Sequence, residues 1–163
     1  MGFFDKLFGK KDDGMTLGAP CAGEAVAITE VPDPTFVEEI LGKGVAIKPT
    51  EGRICAPCDA TVEMMFETGH AVSLKAANGA DVLIHIGLET VALKGEHFTV
   101  HVKNGDVVKK GQLLIEGDLA AVAAAGYNTI TPVVICNSDD YSAVKAVTGA
   151  AVAQGETVLT LEK

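Results

Sequence analysis

The 163-residue chain contains no tryptophan, and aromatic residues make up only 5% of it. With 48% of the chain hydrophobic and so few large rings, its core must be built from small and branched aliphatic side chains. Cationic side chains are also scarce, 13 Lys and Arg against 22 Asp and Glu, for a net charge of −9. Nucleic acid is excluded as a partner, because phosphate neutralisation needs clustered cations; a basic protein partner fits better. No apolar run reaches the roughly 18 residues of a membrane span, and the start lacks the basic-then-apolar order of a secretory signal. The body is therefore expected in the cytoplasm, where the four cysteines would stay reduced.

What is present divides unevenly. Residues 1–15 read as a tail in which Phe4, Leu7 and Phe8 share one helical face with Lys6, Lys10 and Lys11 interleaved. That pattern fits either a membrane-surface helix, giving peripheral contact with the inner face of the membrane, or a frayed terminus. Residues 16–163 have room for one domain with a sizeable core.

Along that domain, short apolar runs alternate with turns, the pattern of many short strands. Strands are expected at Gly23–Ile28, Val45–Pro49, Gly52–Ala56, Ala60–Met65, Ala71–Ala76, Asp81–Ile86 and Val133–Cys136. Helical pieces are expected at Phe36–Leu41, at Asp118–Gly126 with a capping Asp and a closing Gly, and at Asp139–Val147. Two internal echoes stand out. Ala19-Pro20-Cys21 is matched by Ala56-Pro57-Cys58, and the segment from Gly105 to Gly111 followed by Gln-Leu-Leu-Ile is matched by Gly149 to Gly155 followed by Glu-Thr-Val-Leu. The expected fold is all-β: a single antiparallel β-sandwich or flattened barrel with an internal pseudo-duplication.

Imidazole titrates nearest neutrality and its neutral nitrogen is nucleophilic, so the four histidines are the first candidates for chemistry. Strict alternation through Asp81-Val-Leu-Ile-His85-Ile86 sets Val82, Ile84 and Ile86 on one face and Leu83 and His85 on the other. A lone histidine in that setting is usually a core residue bonded to a carbonyl. Asn78-Gly79, however, is a strong hairpin signal, and it turns the strand that starts beside His70 back toward His85. Two facing imidazoles allow metal binding or phosphoryl chemistry. No third ligand for zinc is placed by the sequence, whereas one imidazole can attack phosphorus while the other supports the oxygens.

The segment Gly79-Ala-Asp-Val-Leu-Ile-His85-Ile-Gly87-Leu-Glu-Thr90-Val91, continued by Ala-Leu-Lys94-Gly95-Glu-His-Phe98, resembles the phosphorylation signature of the glucose-type IIA component of the bacterial phosphoenolpyruvate-dependent sugar phosphotransferase system. Phe66-Glu-Thr68-Gly-His70-Ala is similar to that family's second-histidine segment, and similar stretches run from Val31-Pro-Asp33 to Thr131-Pro-Val-Val-Ile-Cys-Asn137. The resemblance implies a reversible phosphocarrier. His85 would take a phosphoryl group from the phosphocarrier protein HPr and give it to a cysteine of a sugar-specific IIB domain of a IIB/IIC permease. It implies that His70 steadies the phosphoryl oxygens, that the Thr68 hydroxyl orients His70, and that the Gly87 carbonyl fixes the tautomer of His85. It implies a docking rim of Asp33, Phe36, Ile40, Phe66, Val72, Glu89 and Val91, apolar and edged by acids. No cofactor is required beyond transient phosphohistidine, although His70 and His85 could share a zinc ion with a partner. Regulatory binding of permeases or kinases by the unphosphorylated form is a further possibility within the family.

Other motifs point elsewhere and carry less. Cys55-Ala-Pro-Cys58 has redox or zinc spacing, but it lies between strands without a second pair, so these are expected to be ordinary buried thiols. His97 and His101 are expected at the surface. The segment at Gly105 suggests a biotinyl or lipoyl swinging arm, yet the lysine that would be modified is missing. A zinc peptidase on a related duplicated scaffold lacks a ligand set.

Overall fold

The computed structural model describes residues 15–163, so the expectation for the tail lies outside the described residues, apart from Met15, which is already in a strand. Fourteen strands and two short helices make up the described chain. In order these are β1 (Met15–Gly18), β2 (Gly23–Ala27), α1 (Pro34–Val37), β3 (Lys43–Pro49), β4 (Arg53–Cys55), β5 (Ala60–Met65), β6 (Ala71–Ala76) and β7 (Asp81–His85). They continue with β8 (Phe98–Val100), β9 (Val107–Val108), β10 (Leu113–Gly117), α2 (Leu119–Ala124), β11 (Thr131–Ile135), β12 (Ala143–Ala146), β13 (Ala150–Val152) and β14 (Thr157–Glu162). Among the described residues, no helix is long and apolar enough to cross a membrane.

One eight-stranded sheet, ordered β13-β2-β3-β11-β7-β6-β5-β9, faces two three-stranded sheets, β1-β14-β12 and β4-β10-β8, and the pairings are antiparallel. Strand alternation decides which side chains meet between them. Val45, Ile47, Leu74, Val82, Ile84, Val133 and Ile135 of the large sheet pack against Leu17, Ile54, Leu114, Ile115, Leu159 and Leu161 of the small ones. This is the expected sandwich. Alternate residues of the same sheet, Val26, Ala46 and Val134, point to the opposite face and join Ile28, Val31, Phe36, Leu88 and Ile130 in a second, smaller core. A 3₁₀ turn at Ile28–Glu30 and α1 cover that outer face.

The internal echo is visible as duplicated hydrogen bonds. Ala19 donates its N–H to the Glu156 carbonyl, and its carbonyl accepts from Gly155 N–H, at 2.8 and 2.9 Å. Ala56 does the same with Gln112 and Gly111, both at 2.8 Å. The two repeats also exchange bonds, Gly18 to Pro57 and Cys55 to Pro20. Each Gly-to-Gly turn is stapled alike, Lys109 N–H to the Gln112 side chain and Ala153 N–H to the Glu156 side chain.

Some expectations need correction. The helix placed at Phe36–Leu41 starts earlier, because Asp33 caps the Thr35 N–H and Pro34 occupies the first turn, and it stops at Val37, before Glu39 turns left-handed at φ 57°. The helix placed at Asp139–Val147 is a 3₁₀ turn at Ser138–Asp140 followed by β12. There Val144 sits opposite Leu161 and Lys145 pairs with Glu162, so sheet contacts outweigh local helix propensity. The Asp118 cap and the helix after it stand as expected, with the carboxylate accepting from Ala121 N–H.

Candidate functional site

The hairpin β6–β7 brings the two histidines together. Ala71 pairs with His85, and one step on, Ile86 N–H donates to the His70 carbonyl at 2.7 Å. The imidazole rings meet edge to face with centroids 5.1 Å apart. Leu83 and His85 lie on the outer face, as alternation predicts, and the Phe36 ring lies 5.4 Å from the His85 ring as part of its floor. Phe66 flanks the other side, 5.3 Å from His70.

Both rings are held by Nδ1. His85 Nδ1 lies 2.6 Å from the Gly87 carbonyl oxygen. A carbonyl only accepts, so that nitrogen carries the proton and, in the neutral ring, Nε2 presents a lone pair. His70 Nδ1 shares a 2.5 Å hydrogen bond with the Thr68 hydroxyl. Burial pushes His70 down to about 4, and the neighbouring His85 pushes it the same way. His85 is also lowered, by burial, with the Gly87 carbonyl and the Asp33 carboxylate acting against it. Both imidazoles are therefore neutral at pH 7.

The loop after β7 makes this geometry possible. Gly87 has φ +76°, and a Cβ there would come 2.7 Å from Thr90 Cγ2 and 2.8 Å from the Asn128 carbonyl oxygen. Leu88 N–H donates to that Asn128 carbonyl at 3.0 Å, and the Thr90 hydroxyl donates to the Ile86 carbonyl at 2.5 Å. Asn128 carries no sequence signal, because it acts through its backbone from a distant loop.

Of the expected rim, Ile40 (66% exposed) and Val91 (53%) project into solvent, Glu89 is exposed, and Asp33 and Phe66 are half-buried. Two members are corrected. Val72 is fully buried: paired with Ile84, it points with Ile84 into the large core, away from the histidines. Phe36 is 4% exposed and forms floor rather than rim. His97 and His101 are at the surface, the latter 2.8 Å from Glu116. Cys21, Cys55 and Cys58 are buried and free, while Cys136 is exposed.

The sequence model of the phosphoenolpyruvate-dependent sugar phosphotransferase system, EIIA 1 family matches residues 15–141. The chain belongs to this family. It is 42% identical over 166 residues to the glucose-specific EIIA component of Haemophilus influenzae, with all of both chains covered. It is 45% identical to that of Bacillus cereus, over 94% of each chain. It is also 52% identical over 132 residues to the beta-glucoside-specific EIIBCA component of Dickeya chrysanthemi, spanning 81% of this chain and 21% of that one. Among solved structures, the glucose permease IIA from Mycoplasma capricolum superimposes with a TM-score of 0.85 at 30% identity, covering 91% of this chain and 96% of the other. This EIIA component is thus a phosphocarrier of a sugar phosphotransferase system, a phosphotransferase component that works with HPr and with IIB and IIC components. Neither the swinging-arm carrier nor the zinc peptidase has support among these relatives.

Proposed function

We propose that His85 Nε2 is the phosphoryl acceptor of this EIIA component and that His70 stabilises the group during transfer. The carrying observation is the 2.6 Å bond from His85 Nδ1 to the Gly87 carbonyl, which leaves Nε2 unprotonated beside the second imidazole. In the forward step a P–N bond forms at His85 Nε2 as the P–N bond to the histidine of phospho-HPr breaks. In the next step a P–S bond forms at a cysteine of the IIB domain and His85 is restored. No resident cofactor enters this cycle, whose covalent intermediate is phosphohistidine.

A nucleophile must be unprotonated, and burial of His85 supplies that by holding its pKa below the ordinary histidine value. The supporting imidazole must instead donate. That role requires the Thr68 hydroxyl to donate to Nδ1, which puts the His70 proton on Nε2, available to a phosphoryl oxygen. Asp33 and Glu89, with Ile40, Phe66 and Val91, suit an acidic, partly apolar rim for a basic partner.

The domain from 16 to 163, a cytoplasmic location, peripheral membrane contact through residues 1–15, and regulatory binding of permeases or kinases belong to the same proposal. The glucose-specific and beta-glucoside-specific relatives support glucose or a beta-glucoside as the sugar of the partner permease.

Incubation with phosphoenolpyruvate, the first enzyme of the relay and HPr should yield one acid-labile phosphate per chain, and His85→Ala should yield none. Label retained by His85→Ala would overturn the assignment.

A further inference from the structure

Two peptide planes flank Gly87, and each is pinned by a different neighbour. The plane after Gly87 contains both the carbonyl that meets His85 Nδ1 and the Leu88 N–H that donates to the Asn128 carbonyl at 3.0 Å. The plane before it contains the Ile86 carbonyl, which accepts from the Thr90 hydroxyl at 2.5 Å. Ile86 is also tied on its amide side, through the 2.7 Å bond to the His70 carbonyl. Apart from His85 itself, the Thr90 hydroxyl is the side-chain group among those that pin these two planes. Thr90 is fully buried, and its methyl group lies 2.7 Å from where a Cβ on Gly87 would be.

A glycine at φ +76° has wide conformational freedom. Its carbonyl stays aimed at a ring nitrogen only if the peptides on both sides are fixed. We propose that Thr90 is a positioning residue for phosphoryl transfer: its hydroxyl holds the Ile86 carbonyl and so keeps the Gly87 carbonyl on His85 Nδ1. The proposal rests on His85 being the acceptor. Without the Thr90 bond, the Gly87 carbonyl drifts, part of the His85 population takes the other tautomer with Nε2 protonated, and that part cannot attack phosphorus.

The test compares Thr90→Val, which keeps the shape and loses the donor, with Thr90→Ser, which keeps the donor and loses the methyl. Imidazole ¹⁵N NMR of the intact chain reads the tautomer directly, and phosphoryl uptake from phospho-HPr reads its consequence. Wild type and Thr90→Ser should show His85 protonated at Nδ1 alone. Thr90→Val should show a mixture, a lower His85 titration midpoint, and uptake slowed roughly tenfold, most of which Thr90→Ser restores. A wild-type tautomer in Thr90→Val, or Thr90→Ser as slow as Thr90→Val, would overturn the proposal. Should Thr90→Val not fold, Thr90→Cys replaces it: as a weak donor it should show a partial tautomer mixture, and a wild-type tautomer there is equally fatal. Label on His85→Ala would instead remove the acceptor assignment and leave the tautomer result standing.

Discussion

The chain holds two pairs of reactive side chains in similar surroundings, Cys55 with Cys58 and His70 with His85, and burial has opposite chemical consequences for them. Burial disfavours whichever protonation state is charged. For the thiols that state is the nucleophilic one. Cys58 is pushed up to about 11 and Cys21 to about 12, and Cys55 also rises, so all three are inert at neutral pH. For the imidazoles the charged state is the non-nucleophilic one. The same desolvation that silences the cysteines keeps the histidines ready for attack. What separates the pairs further is their place in the fold: Cys58 lies in the large inner core and Cys55 is buried on the strand beside it, whereas His85 sits at the edge of the small outer core.

This contrast is sharpened most by removing the second imidazole. His70→Gln should still accept phosphate at His85 but pass it to IIB about a hundredfold more slowly, as expected when a transition-state donor is lost. Single-turnover transfer from the phosphorylated variant measures this, and a wild-type rate would dissolve the distinction between acceptor and helper.

Acidification tests the cost of burying an imidazole. His70 titrates near 4 in the folded chain and near 6.5 when unfolded, so between those values the unfolded state binds more protons. Folding stability should therefore be intact above pH 6.5 and fall as the pH drops toward 4. The His70 contribution is at most about 3 kcal/mol. Denaturant midpoints for wild type and His70→Gln across that window should diverge at high pH and converge at low pH, relative to their acid values. Parallel curves would mean that His70 is not desolvated as described.

Gly87→Ala places a methyl against Thr90 and the Asn128 carbonyl at a left-handed φ, which should cost about 2 kcal/mol of stability and disturb the His85 tautomer. Thermal melts and imidazole NMR read the two effects separately. The smallest effect is expected at the thiols. Iodoacetamide should modify native protein only at Cys136, without loss of phosphoryl uptake, and the three buried cysteines should react only on unfolding. Labelling of native Cys55 or Cys58 would break the comparison at its other end.

Much of the architecture was readable from periodicity. Alternation in Asp81–Ile86 assigned each side chain to the correct face, and Asn78-Gly79 located the turn that brings His70 beside His85. The Ala-Pro-Cys echo anticipated a duplication that the hydrogen bonds confirm. The same logic, applied to Val72, would have removed it from the rim. The misplaced helix at Asp139–Val147 has a different origin, since β12 exists through pairing with β14, and residues that distant leave no trace in a local window.

The sequence by itself thus determined the strand faces, the hairpin that joins the histidines and the family, because each depends on local periodicity or on motifs contiguous in the chain. Only the tertiary structure decided the His85 tautomer, the depressed imidazole pKa values and the buried position of Phe36. These depend on a carbonyl two residues away in a left-handed turn, on a strap from Asn128, and on how much solvent the folded layers exclude. Desolvation and hydrogen-bond direction belong to the assembled layers, and no single stretch of chain contains them.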